Sequence, residues 1–139
     1  MKSILVPVDL SAQSAQLLEH ALRLAKAFSS SVYLLHVVLP NEDSSYKDKP
    51  ALEQDFSAET VALNRLAQRL RDAGIETHAF LVEGITAAVI LEEAEKFNAE
   101  LIILGSHGGR GLAQGLLAGV SEEVINQQRS PVLLVPTGE

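Results

Sequence analysis

Short apolar runs alternate along this chain with longer stretches whose apolar residues recur at three- and four-residue steps. Ile4 to Val8 opens with three uninterrupted apolar residues and reads as a strand buried on both faces. Ala15, Leu18, Ala21, Leu22, Ala25 and Phe28 then share one face of a helix. Ser29-Ser30-Ser31 breaks that pattern, and Val32 to Leu39 predicts a second strand, closed by Pro40. Leu63, Leu66, Ala67 and Leu70 mark a helix that Gly74 ends. Ile75 to Val82 predicts a third strand and Ala87 to Phe97 a third helix. Leu101 to Leu104 is a fourth, wholly apolar strand. Val120 to Gln128 predicts a short helix through Val124 and Ile125, and Val132 to Val135 a fifth strand.

Strand, helix and strand in succession require a crossover, so neighbouring strands run parallel. The pattern is α/β: an open, doubly wound, five-stranded parallel sheet with helices on both faces. The 139 residues suit one domain over 1–139, with no internal repeat or low-complexity tract. The polar stretch 41–55, which holds Asp43, Ser44, Lys47, Asp48 and Pro50, is long for a connection and predicts a mobile loop or lid.

Composition narrows the chemistry. The chain has no cysteine, which removes disulfides, thiolate metal sites, iron–sulfur clusters and cysteine nucleophiles together. Pro7 and Asp9 interrupt the first apolar run too early for a secretory leader. Glu19, His20, Arg23 and Lys26 divide the stretch from Leu17 to Phe28, and no segment reaches the ~20 apolar residues of a membrane span. A cytoplasmic, membrane-free protein is expected. Net charge is −7, with basic residues scattered among acidic ones, which argues against nucleic acid as a partner. A bound phosphate would rest on backbone amides and helix ends rather than on a cationic surface.

In sheets of this kind ligands bind beyond the carboxyl ends of the strands, where the strand order reverses. If the first three strands wind one way and the fourth returns beside the first, Asp9-Leu10-Ser11 and the segment from Gly105 flank that crevice. The second segment reads Gly105-Ser106-His107-Gly108-Gly109-Arg110-Gly111. Such a run after a buried strand lets a backbone approach a ligand, or simply connects strand to helix. Asp9 ends a buried strand, where its carboxylate must accept hydrogen bonds from a helix N-terminus or from a ligand. Sharper motifs are absent. No G-x-x-x-x-G-K-[ST] string occurs, Gln114 stands where G-x-G-x-x-G needs its third glycine, and Glu123 breaks G-x-S-x-G after Gly119 and Ser121. His20, His36, His78 and His107 lack metal-ligand spacing. His20 reads as a surface residue, His36 and His78 as packed in strands, and His107 as the one histidine in the candidate loop. No catalytic residue and no protein-held metal is expected.

At these residues the chain resembles the universal stress protein family, over nearly its whole length. The resemblance lies in Ile4-Leu5-Val6-Pro7-Val8-Asp9-Leu10-Ser11, Leu35-His36-Val37-Val38, Leu104-Gly105-Ser106-His107-Gly108 and Ser130-Pro131-Val132-Leu133-Leu134-Val135-Pro136. It implies strand order 3-2-1-4-5 and a homodimer, here paired through Val132, Leu133, Leu134 and Val135 at a sheet edge. It also implies either ATP binding or no nucleotide, because the family holds both kinds. Its ATP binders carry G-x-x-G, nine residues, then G-[ST]. Gly105 and Gly108 fill the first pair, whereas Ala118 and Gly119 stand in the second. By this resemblance Asp9 and the Val38 backbone meet adenine, and Pro7 and Gly105 lie by the ribose. Gly108, Gly119, Val120 and Ser121 face phosphates at the start of the last helix. Val8, Leu104, His107, Gly109 and Arg110 belong to the same two segments. The implied ligand is ATP or another adenine nucleotide, with Mg2+ held through the phosphates. The Ala118-Gly119 departure predicts weakened binding with less preference for the triphosphate.

Two readings follow. One is a nucleotide-responsive stress regulator with at most slow hydrolysis, supported by Asp9, Gly105 and Gly108. The other is a nucleotide-independent dimeric interaction module, supported by Ala118 and Gly119.

Overall fold

Successive residues of the first strand, β1 (Ser3–Pro7), are buried on opposite faces of one sheet. Ile4 and Val6 enter one core and Leu5 the other, and all three are 0% exposed. The computed structural model describes residues 1–39, 56–106, 112–127 and 129–137, and along 112–119 the backbone alone. The expected loop at 41–55, like Pro40, lies outside the described residues. Beyond β1 the described elements are α1 (Ser14–Phe28), β2 (Ser31–Val38), α2 (Ser57–Asp72), β3 (Thr77–Glu83), α3 (Thr86–Lys96), β4 (Leu101–Gly105), α4 (Leu112–Gln127) and β5 (Val132–Val135). All paired strands are parallel, in the order β3-β2-β1-β4-β5.

Both faces are covered, and on α1 the buried stripe takes in Leu17 while Ala15 and Phe28, expected on it, are exposed. Leu17, Leu18 and Ala21 of α1, with Leu63, Ala67 and Leu70 of α2, bury Ile4, Val6, Val32 and Leu34. Ala87, Ile90 and Ala94 of α3, with Val124 of α4, bury Leu5, Leu35, Ile102 and Leu104. Burying each such side chain contributes about 1.5–3 kcal/mol, so this pairing of faces dominates the fold's stability.

Three helices end in the same way. Ser29, Gly74 and Asn98 take left-handed φ angles of 55°, 87° and 51°. The next amide then reaches back five residues, from Ser30 to Ala25, Ile75 to Leu70 and Ala99 to Ala94. Each closure satisfies a helix-end carbonyl that would otherwise lack a donor. It also explains why β3 starts at Thr77 and not at the expected Ile75, whose amide is spent on capping α2.

One element departs further. The last helix begins at Leu112, about two turns before the expected Val120. Gly115 and Gly119 read as loop residues in the sequence. Leu112, Ala113, Leu116, Leu117 and Ala118 around them are strong helix formers that outweigh roughly 1 kcal/mol per glycine.

Candidate functional site

β1 and β4 pair only at their lower ends, Ile4 with Leu101 and Leu5 with Ile102. Above that they part. Amides alternate sides along a strand, and that of Val8 is directed to Leu35 of β2. The Pro7 position therefore turns toward β4, and proline has no amide to donate there. On the other wall, the amides of Ile102 and Ser106 bond to Pro131 and Val135, so that of Gly105 turns toward β1. The result is a crevice at the carboxyl ends of the strands, where the sheet changes winding direction.

The crevice has a cavity volume of about 110 Å³ and opens to solvent. Its apolar walls include Leu17, Leu35, Ile90, Leu104 and Val120. Polar groups come from six separate segments: Asp9, Gln13 and Ser14; His36; Thr86; Gly105; Ser121; and Thr137.

Asp9 organises the β1–α1 loop. Its Oδ1 accepts the Ser11 amide at 2.9 Å and the Ser14 hydroxyl at 3.3 Å. Between them Leu10 is held at φ 64°, a left-handed conformation that costs a non-glycine residue about 1–2 kcal/mol. Ser11 Oγ is buried without a hydrogen-bond partner. So the helix-side bonding foreseen for Asp9 exists, through one oxygen of a carboxylate that also lines the crevice.

Of the residues expected at the site, Pro7, Val8, Asp9, Leu104, Gly105, Val120 and Ser121 do line one crevice. Val38 does not. Its carbonyl accepts the Gly84 amide at 2.9 Å, because even-numbered residues of β2 face β3. The backbone of Val37 is the one turned toward β1, and Val37 lines the crevice. His107, Gly108, Gly109 and Arg110 lie outside the described residues. Gly119 and Val120 lie within α4, beyond its first turn and not at its start.

Ser121 is 8% exposed, and its hydroxyl donates to the Gly105 carbonyl at 3.1 Å. That bond uses its single proton, so the oxygen has only lone pairs left to offer. His36, expected as a packing residue, lines the crevice, with Nδ1 2.9 Å from the Val8 carbonyl. A carbonyl only accepts, so Nδ1 carries the proton and helps hold the end of β1. Thr86, Gln13 and Thr137 were not legible, since an isolated polar residue at an element's end carries no local pattern.

Sheet order and connectivity together define an α/β protein of the doubly wound, parallel-sheet class. The model of the universal stress protein family matches residues 1–136, and the chain belongs to that family. Universal stress protein MJ0531 of Methanocaldococcus jannaschii is 35% identical to it, over 96% of this chain and 81% of the relative. The solved structure of protein MJ0577 superposes with a TM-score of 0.84 at 30% identity, covering 99% of this chain and 97% of that one. A universal stress protein solved in complex with cAMP superposes with a TM-score of 0.75 at 21% identity, over 99% and 98% of the two chains.

Proposed function

We propose that this chain is an adenine-nucleotide-binding regulator whose ligand sits in the β1–β4 crevice. The observation that carries the reading is that Asp9 and Val37 line the same crevice, with the Val37 backbone turned toward β1. A backbone edge offers one donor and one acceptor side by side, and the carboxylate adds an acceptor. The edge of adenine is complementary, with an amino donor beside a ring-nitrogen acceptor. Leu35, Ile90, Leu104 and Val120 supply apolar surface against which a planar base packs. The relative solved with cAMP supports the same ligand class.

The described lining holds one carboxylate and no lysine or arginine, and its one imidazole is bonded through Nδ1 to a backbone carbonyl. This suits binding and release more than rapid hydrolysis. Among the described residues no three His, Cys, Asp or Glu side chains gather as a metal-ligand set, so Mg2+ would arrive on the phosphates of the ligand. No helix among the described residues is long and apolar enough to cross a membrane. Action in the cytoplasm is part of the proposal.

Calorimetric titration with adenosine, AMP and ATP, and with GMP as control, tests it. Adenine compounds should bind at micromolar to millimolar concentrations and GMP at least tenfold more weakly. Asp9→Asn should weaken binding by about tenfold or more, because a bond to a charged group contributes ~1.5–3 kcal/mol. Absence of heat and of thermal shift with every adenine compound would refute the reading. The nucleotide-independent alternative, an interaction module, would then stand on the open edge of β5, where Leu134 is 42% exposed.

A further inference from the structure

A second hollow lies at the amino ends of β4 and β5, the opposite end of the sheet from the crevice. α3 closes through the left-handed Asn98, at φ 51°, and the Ala99 amide returns to the Ala94 carbonyl. The Ser130 hydroxyl donates to the Ala99 carbonyl at 2.8 Å, tying the approach to β5 onto that turn. Ala94 and Ala99 bring only methyl groups to the place where these segments meet, so space is left between the last turns of α3 and α4. The groove has a cavity volume of about 450 Å³, within the ~300–1,000 Å³ of small-molecule clefts.

Its base is apolar and its rim is charged. Ala94, Ala99 and Ile102 are buried at the base, and Leu91 is the partly exposed apolar side chain of the lining. Glu95 and Asn98 line it from the α3 side, Gln127 and Arg129 from the α4 side. Glu95 and Arg129 are exposed, and neither has an ion-pair or side-chain hydrogen-bond partner among the described residues. A guanidinium holds a carboxylate through a fork of parallel N–H donors. A carboxylate holds an ammonium group, and the carbonyl ends of α3 and α4 favour a cation at the same place. Opposite charges that line one groove without neutralising each other are complementary to one small molecule that carries both. A primary ammonium suits it better than a quaternary one, because the oxygens of Glu95, Asn98 and Gln127 all accept hydrogen bonds.

We infer that this groove is a second ligand site, for a free α-amino acid with a short aliphatic side chain. Arg129 takes its carboxylate, Glu95 its ammonium group, and Leu91 packs against its side chain. The site stands independently of the adenine-nucleotide reading, because the two clefts share no lining residue.

The test is a titration of the isotope-labelled full chain, followed by amide chemical shifts, with L-valine, isovalerate, isobutylamine and glycine betaine. L-valine should saturate at millimolar concentration, moving the amides of Glu95, Asn98, Arg129 and Ser130 and leaving those of Asp9 and Gly105 in place. Isovalerate lacks the ammonium group, isobutylamine lacks the carboxylate and betaine lacks N–H donors, so each should bind at least tenfold more weakly. Arg129→Gln and Glu95→Gln, at exposed positions where the fold tolerates the change, should each weaken L-valine tenfold or more. Absence of shifts with L-valine would overturn the inference. Equal binding of L-valine, isovalerate and isobutylamine would overturn it too, by reducing the groove to an apolar patch. Binding of L-valine that survives both substitutions would place the amino acid elsewhere and overturn the assignment.

Discussion

Gly105 and Thr137 meet at the floor of the crevice, from the ends of β4 and of the turn after β5. A β-carbon at position 105 would stand 2.9 Å from Thr137 Oγ1 and 3.2 Å from its methyl carbon. Thr137 is 2% exposed and has little room to retreat. Gly105→Ala is expected to cost about 1–3 kcal/mol, read as a lower unfolding midpoint, and to weaken ligand titration with it. An unchanged midpoint would mean that the turn after β5 yields freely. Glu76 gives a pH-dependent expectation. The His78 ring, with Nε2 3.0 Å away, and then Ser31 hold its carboxyl below the ordinary value of 4.5. A depressed folded value means that the contribution is complete above 4.5 and is lost as the pH falls through the folded value. The group is fully exposed, so the effect is small and salt-sensitive. Thermal melts between pH 6 and 3 should show a slightly steeper acid loss for the native chain than for Glu76→Gln; identical slopes would remove the pair from the account.

At the scale of elements, the helix ends and the sheet edge are the informative places. Gly74 has nothing within 4 Å of where a β-carbon would stand, so its left-handed φ of 87° is the whole reason for glycine there. Gly74→Ala should therefore destabilise by ~1–2 kcal/mol without any steric contribution, measured by urea unfolding with the slope unchanged. Among the described residues β5 has β4 as its one neighbour in the sheet. The Pro131 and Val135 carbonyls accept from β4, so Val132 and Leu134 direct their backbone groups to the open edge. A homodimer paired there would use these groups. Leu134→Pro removes an outward donor and leaves the β4 ladder untouched. Light scattering should show a dimer for the native chain and a monomer for the variant. A native monomer at high concentration would dismiss the pairing. The segment from Leu112 to Gly119 shows where element reasoning stopped: local glycines suggested a loop, and helix-forming neighbours prevailed.

At the scale of the molecule, ligand and fold are linked. A ligand at a hundredfold its dissociation constant that binds only the folded state adds about 2.7 kcal/mol. AMP at that excess should raise the melting midpoint by several degrees, and at the same concentration the rise should fall to about half or less in Asp9→Asn, whose binding is about tenfold weaker. An undiminished rise in that variant would place the nucleotide elsewhere. Ile4-Leu5-Val6 and Leu101 to Leu104, apolar without break, already determined that these strands lie between two helical layers. The order of elements determined a parallel sheet, because short connections admit few other arrangements. Asp9 and Gly105 stood out locally, as a carboxylate and a glycine ending buried strands, and strand order then set them on facing sides of one crevice. Tertiary structure alone decided the rest. Whether Val37 or Val38 faces the crevice depends on which neighbour each strand residue pairs with, and pairing is a long-range property. Thr86, Gln13 and Thr137 are ordinary polar residues until three separate turns bring them together. Ser121 could donate to a ligand until folding placed the Gly105 carbonyl 3.1 Å away, and a hydroxyl has only one proton to give.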